Sequence, residues 1–190
     1  MKIVKFFSLL MLVIINNNIA AAADLKPTAT AVAKATYEKD MWQLIQLIKT
    51  AKPKAPFAAM IIDNSSNKIL CTSVNNQVER DNAINQAEIN AIDMCSKQYG
   101  KKILWNNVTL ITTAAPSVMA MGAIIIRGIS NVVYGTSIDY LIAHKWQQIK
   151  INPEEIEVRS YYMHKVTIIG GVLAKQTNLL YRNGPPNVSF

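Results

Sequence analysis

Histidine and cysteine each occur only twice in the 190 residues, as His144, His164, Cys71 and Cys95. Neither histidine falls in a recognisable local Ser–His or Cys–His nucleophile motif, and the chain carries no G-x-S-x-G elbow, P-loop or G-x-G-x-x-G turn. Local signatures for a Ser or Cys nucleophile, or for a loop that cradles phosphates, are therefore missing. Basic residues outnumber acidic ones 20 to 12, for a net charge of +8, yet no basic run reaches five. Lysines scattered from Lys49 to Lys102 suit a solvated surface and give no specific nucleic-acid signal. No internal repeat or low-complexity linker divides the chain.

Hydrophobic residues make up 51% of the chain and charged ones 17%, which is enough apolar material for one domain with a buried core. The first residues differ from the rest. MKIVK is a basic n-region, FFSLLMLVII an apolar stretch, and IAAAAD a small-residue site with Ala21 and Ala23 in the A-x-A positions. Residues 1–23 read as a secretory signal peptide cleaved before Asp24, and an uncleaved anchor is the alternative. The apolar stretch falls well short of the roughly 20 residues that span a bilayer, so no membrane span is expected after cleavage. Lys2 and Lys5 leave with the signal, and the mature charge is +6. Export to the periplasm or beyond would let Cys71 and Cys95 pair, closing a loop of about 25 residues. Two buried thiols fit the sequence equally well.

Residues 24–50 read as an N-terminal helix, with Met41, Leu44, Ile45 and Ile48 at i, i+3, i+4, i+7. Residues 51–190 then form the main domain. FAAMIID and NKILCTSV, separated by Asn64 to Asn67, predict a hairpin. INQAEINAIDMCSKQYG predicts a helix using Ile84, Ala87, Ala91, Met94 and Cys95, stopped by Gly100. VTLITT and NVVYGT are strand-like and flank VMAMGAIIIRG, whose periodicity alone fits helix or strand. A helix around Tyr140 to Gln148, another from Pro153, a short strand VTIIGG and a closing helix from Val172 complete the order. This succession predicts a three-layer α/β/α sandwich around a central mixed five-stranded sheet.

The same pieces resemble, in order, the cytidine deaminase-like superfamily, and specifically its guanine deaminase and tRNA adenosine deaminase branch. PFAAMIID is similar to that family's first strand, TSVNN to the strand end carrying a substrate asparagine, and QAEINAI to its H-A-E helix. APSVMAMGAIIIRGISNVVYG resembles the P-C-x-x-C helix running into the next strand, and IIGGVLAKQTNLL the closing helix. The resemblance implies a zinc-dependent nucleobase or nucleoside deaminase: a His and two Cys hold the metal while a Glu shuttles protons. The open zinc position lowers the pKa of water from 15.7 to about 7.

Carried over residue by residue, the three ligand positions fall on Gln86, Ser117 and Ala120. A neutral amide, a hydroxyl and a methyl make no tight zinc shell, so no cofactor is expected. The proton-shuttle position falls on Glu88, and Asn85-Gln86-Ala87-Glu88 also reads as a capping box with Asn85 at the N-cap. Asn75 falls on the substrate asparagine, or serves turn chemistry in VNNQ. Phe57 and Trp105 are candidates to stack a base. Ser117, at a helix N-terminus, is a candidate to hold an anion. General acid–base help contributes typically 10²- to 10⁴-fold and does not replace the metal. The expectation is an exported, catalytically inactive deaminase homologue that binds a purine or nucleoside and forms a homodimer. An active deaminase with atypical ligands and a purely structural interaction protein are the alternatives.

Overall fold

A computed structural model describes residues 34–161 and 163–185, so the signal-peptide reading of residues 1–23 lies outside the described residues. Within the described residues, helix α1 (Glu38–Ala51) leads through strands β1 (Ala58–Asp63) and β2 (Lys68–Val74) to helix α2 (Ala87–Tyr99). Strand β3 (Val108–Ala114), helix α3 (Val118–Arg127), strand β4 (Asn131–Thr136) and helix α4 (Ile138–Ala143) follow. Helix α5 (Pro153–Val158), strand β5 (Thr167–Ile169) and helix α6 (Ala174–Tyr181) close the fold.

The five strands form one mixed sheet in the order β2-β1-β3-β4-β5. β1 runs antiparallel to both β2 and β3, whereas β3-β4 and β4-β5 are parallel. The parallel half requires crossovers, and α3 supplies the one between β3 and β4. Alternation along the strands then builds two cores. Ala59, Ile61, Leu110 and Val132 face α2 and α3, and Ala58, Met60, Ile111 and Val133 face α1. Met41, Leu44, Ile45 and Ile48 of α1 are buried as the spacing predicts. Each contributes about 1.5–3 kcal/mol by leaving water. The helix is thus one of the sandwich's own layers.

The periodicity-ambiguous segment after Ser117 is a helix, ended by Gly128 in a left-handed conformation (φ 83°). Two element expectations need correction. The helix expected from Tyr140 to Gln148 ends at Ala143, after which Trp146 turns inward and donates from Nε1 to the Tyr181 carbonyl (2.9 Å). Ile84 and Met94, expected on the buried stripe of α2, are both exposed, Ile84 because it precedes the helix. Among the described residues, no helix is long and apolar enough to cross a membrane.

Candidate functional site

The site forms where β1 begins, β2 ends and the N-termini of α2 and α3 converge. Phe57 precedes β1 and Asn75 follows β2, and their backbones pair through Asn75 N–H to the Phe57 carbonyl (2.9 Å). Gln86 is the N-cap of α2 and Ser117 the N-cap of α3, both with extended backbone. The fold therefore brings Phe57, Asn75, Gln86, Glu88 and Ser117 around one inner chamber of about 40 Å³. A cavity that size admits about one water-sized molecule. It adjoins an outer cleft of about 400 Å³ through shared walls at Phe57, Gln77, Gln86, Ser117 and Gln148.

At the three ligand positions the atoms are committed to one another. The Ser117 hydroxyl donates to Gln86 Oε1 at 2.6 Å and accepts from the Ala120 backbone N–H at 3.2 Å. Ala120 itself is fully buried and offers only a methyl group. This donor set does not fit a zinc ion, which takes thiolate, imidazole or carboxylate ligands. Ser117 also uses an N–H that an anion at this helix end would need, which weakens its anion-binding role. Among the described residues no group of three His, Cys, Asp or Glu side chains is arranged to hold a metal. His144 bonds the Tyr140 carbonyl through Nδ1 (2.9 Å), and His164 Nε2 meets Ser130 Oγ (2.9 Å) beyond the far end of α3.

Glu88 lies inside the protein and accepts a hydrogen bond from Thr112 Oγ1 at 2.6 Å. Burial pushes its carboxyl above the usual range, against the opposing pull of Thr112 and its own N–H. The capping-box reading is corrected here: Gln86, rather than Asn85, is the N-cap, which puts Glu88 one position too early and turns it toward β3. Asn75 is buried, accepts from Gln77 N–H through Oδ1 (3.0 Å) and donates from Nδ2 to Gln77 Oε1 (2.6 Å). Turn formation and pocket lining thus coincide in one residue.

Phe57 packs tilted against Tyr181 (4.8 Å between centroids) and edge-on against Trp146 (5.3 Å). Trp105 is a correction to the base-stacking expectation: it is buried in the α2–α3 core, with the Arg127 guanidinium 4.2 Å from its ring centre. Arg127 ends α3 at the opposite end from Ser117. Sequence reasoning missed Thr112, Gln77, Trp146 and Gln148. Thr112 left no distinctive signal, because β3 carries three threonines, Thr109, Thr112 and Thr113. Trp146 and Gln148 left none, because they reach the cleft only once α4 has ended early.

Comparison with known proteins agrees with this architecture. The model for the cytidine and deoxycytidylate deaminase zinc-binding region matches residues 34–136. The chain belongs to that deaminase family. A tRNA-specific adenosine deaminase from Rickettsia bellii is 27% identical over 135 residues, covering 71% of this chain and 88% of the relative. A guanine deaminase from Nitrosomonas europaea superposes with a TM-score of 0.64 at 22% identity, over 75% of this chain and 81% of that one. The NE0047 protein in complex with 2,6-diaminopurine gives a TM-score of 0.63 at 23% identity, over 76% and 79%.

Proposed function

We propose that this chain is an exported, zinc-free member of the deaminase family that binds a purine base or nucleoside without hydrolysing it. The observation that carries this reading is the Ser117–Gln86 hydrogen bond of 2.6 Å, which stands where the family's resemblance places two metal ligands. Ala120 supplies nothing at the third position. Glu88 keeps a place for proton transfer, but a buried carboxyl held above its usual range favours the neutral acid, a hydrogen-bond donor.

The ring sits in the outer cleft, because about 40 Å³ is too small for a purine and about 400 Å³ lies within the range of small-ligand sites. Phe57 and Trp146 offer apolar contact, and Gln77, Gln86 and Gln148 offer amide donors and acceptors suited to a base edge. The purine class is supported by the 2,6-diaminopurine held by the structurally similar NE0047 protein. A homodimer is part of the same reading, because Met119 and Ile126 expose an apolar stripe along α3.

The test is a thermal-shift panel of bases and nucleosides on purified protein, with zinc measured in the same preparation. A purine raising the melting temperature, with substoichiometric zinc and no ammonia release, is the expected result. Stoichiometric zinc with turnover would establish an active deaminase instead. A ligand-insensitive dimer in sedimentation would favour the interaction protein.

A further inference from the structure

The most exposed apolar side chains gather at one end of the molecule. Among the described residues, the four most exposed large ones are Tyr161 (79%), Ile126 (77%), Val158 (69%) and Leu104 (66%). Leu104 lies between α2 and β3, Ile126 in the last turn of α3 before β4, and Val158 and Tyr161 where α5 gives way to the connection into β5. β3, β4 and β5 are parallel neighbours, so the three connections that feed them share one end of the sheet. The Ser117 cleft is at the other end, where β3 finishes and α3 begins.

The three connections are stitched together. Ser130 Oγ donates to the Asn106 carbonyl at 2.6 Å and meets His164 Nε2 at 2.9 Å. The Arg127 guanidinium closes over the Trp105 ring. The apolar tips therefore stand on one joined surface rather than on independent loops.

Charge selects the occupant. With Arg127 at the end of α3, the connections carry Lys101, Lys102, Arg127, Arg159 and Lys165, and no carboxylate. Arg159 pairs with Glu155 and Lys165 with Glu157, both glutamates of α5. In the adjoining hairpin turn, Lys68 stands opposite Asp63. Lys101, Lys102 and Arg127 are left exposed and without an acidic partner among the described residues. Protruding aliphatic and aromatic tips among unpaired cations suit the headgroup boundary of an anionic bilayer. A protein interface, by contrast, is depleted in lysine. A nucleic acid would use the cations and leave the aliphatic tips in water.

We propose that this end of the molecule docks on an anionic lipid surface, with Leu104, Val158 and Tyr161 entering the headgroup boundary and Lys101, Lys102 and Arg127 facing the lipid charges. Base binding at the opposite end is independent of it. The test is flotation with vesicles of phosphatidylcholine, with and without phosphatidylglycerol, using the chain from Asp24 so that the apolar leader contributes nothing. Binding is expected to the anionic vesicles only, and to fall as salt rises. Lys101→Glu with Lys102→Glu should weaken it at least about tenfold. Reversing the distant Lys49 and Lys175 to glutamate should weaken it less, since charge far from the surface is screened. Leu104→Ser, Val158→Ser and Tyr161→Ser together should also cost at least about tenfold, with the melting temperature kept because all three side chains are exposed. Ile126 is left in place because it also ends the α3 stripe of the dimer reading, so a loss of binding is not a loss of that dimer. No flotation with anionic vesicles, equal flotation with neutral ones, or equal losses from the two lysine pairs would overturn the proposal. So would a serine variant that floats like the parent. A vesicle-free dimer that the three serines dissociate would assign this end to a second copy instead, and RNA binding that needs the lysines but not the apolar tips would assign it to nucleic acid.

Discussion

Glu88 holds a carboxyl group away from water, bonded at one oxygen by Thr112. Because burial raises its pKa in the folded state, the native protein binds this proton more tightly than the unfolded chain does. The stability it contributes is complete below the unfolded value near 4.5 and is lost as pH rises through the folded value. Glu88→Gln keeps an acceptor for Thr112 and cannot ionise. The variant is expected to match the parent in acid and to melt progressively higher than it as pH rises, read by calorimetry across pH 4 to 9. A constant difference at every pH would show that Glu88 does not titrate with folding. Ser117 is a second residue whose role is separable. Its oxygen caps Ala120 N–H, so Ser117→Ala should cost about 1 kcal/mol in chemical denaturation.

At the scale of elements, Cys71 of β2 and Cys95 of α2 are joined by a disulfide with Cα atoms 5.8 Å apart, so the edge strand is tied to the helix that carries Gln86 and Glu88. Their separation of 24 residues makes the loop worth about 3.5 kcal/mol in the chain-entropy model. Reducing it, or substituting both cysteines by alanine, is expected to lower unfolding free energy by that order in urea titrations. Gly135 is a tighter constraint, because a Cβ there would lie 2.6 Å from the Thr177 side chain and 2.7 Å from the Thr113 carbonyl. Gly135→Ala forces β4 from α6 and should destabilise by about 1–3 kcal/mol. What the sequence disclosed at this scale follows one rule: elements set by their own periodicity were legible, and those set by a neighbour were not. α1 and the β1–β2 hairpin needed only apolar spacing and turn residues. α4 did not, because Trp146 continues the apolar pattern while its indole N–H is claimed by Tyr181. Glu88 was misplaced by a single cap position, since Asn85 looks like the better cap and the β-region backbone at Gln86 is decided by packing. The chamber residues were named individually from the motif match, but Gln77 and Gln148 join them only through the folded loops.

For the whole molecule, the scaffold and the chemistry of the site separate cleanly. The α2 and α3 N-termini meet, as the Gln86–Ser117 contact shows, so side chains placed at these positions can reach one another. Combining Gln86→His, Ser117→Cys and Ala120→Cys supplies one imidazole and two thiolates at spacings the family resemblance assigns to its ligands. The triple variant is expected to bind one zinc per chain, seen by elemental analysis and by intense thiolate absorption on cobalt substitution, while the parent stays metal-free under the same loading. Each single substitution should fail, because one or two ligands leave the ion mostly hydrated. Thiols that persist unbound in the triple variant would place the fault in the frame rather than in the side chains. Preparation must keep Cys71 and Cys95 paired while the new cysteines stay reduced, because exchange among four sulfurs would scramble the test. Mild reduction suits both needs if the buried native pair is slower to react than thiols at the cleft, and mass spectrometry after alkylation shows which sulfurs are free.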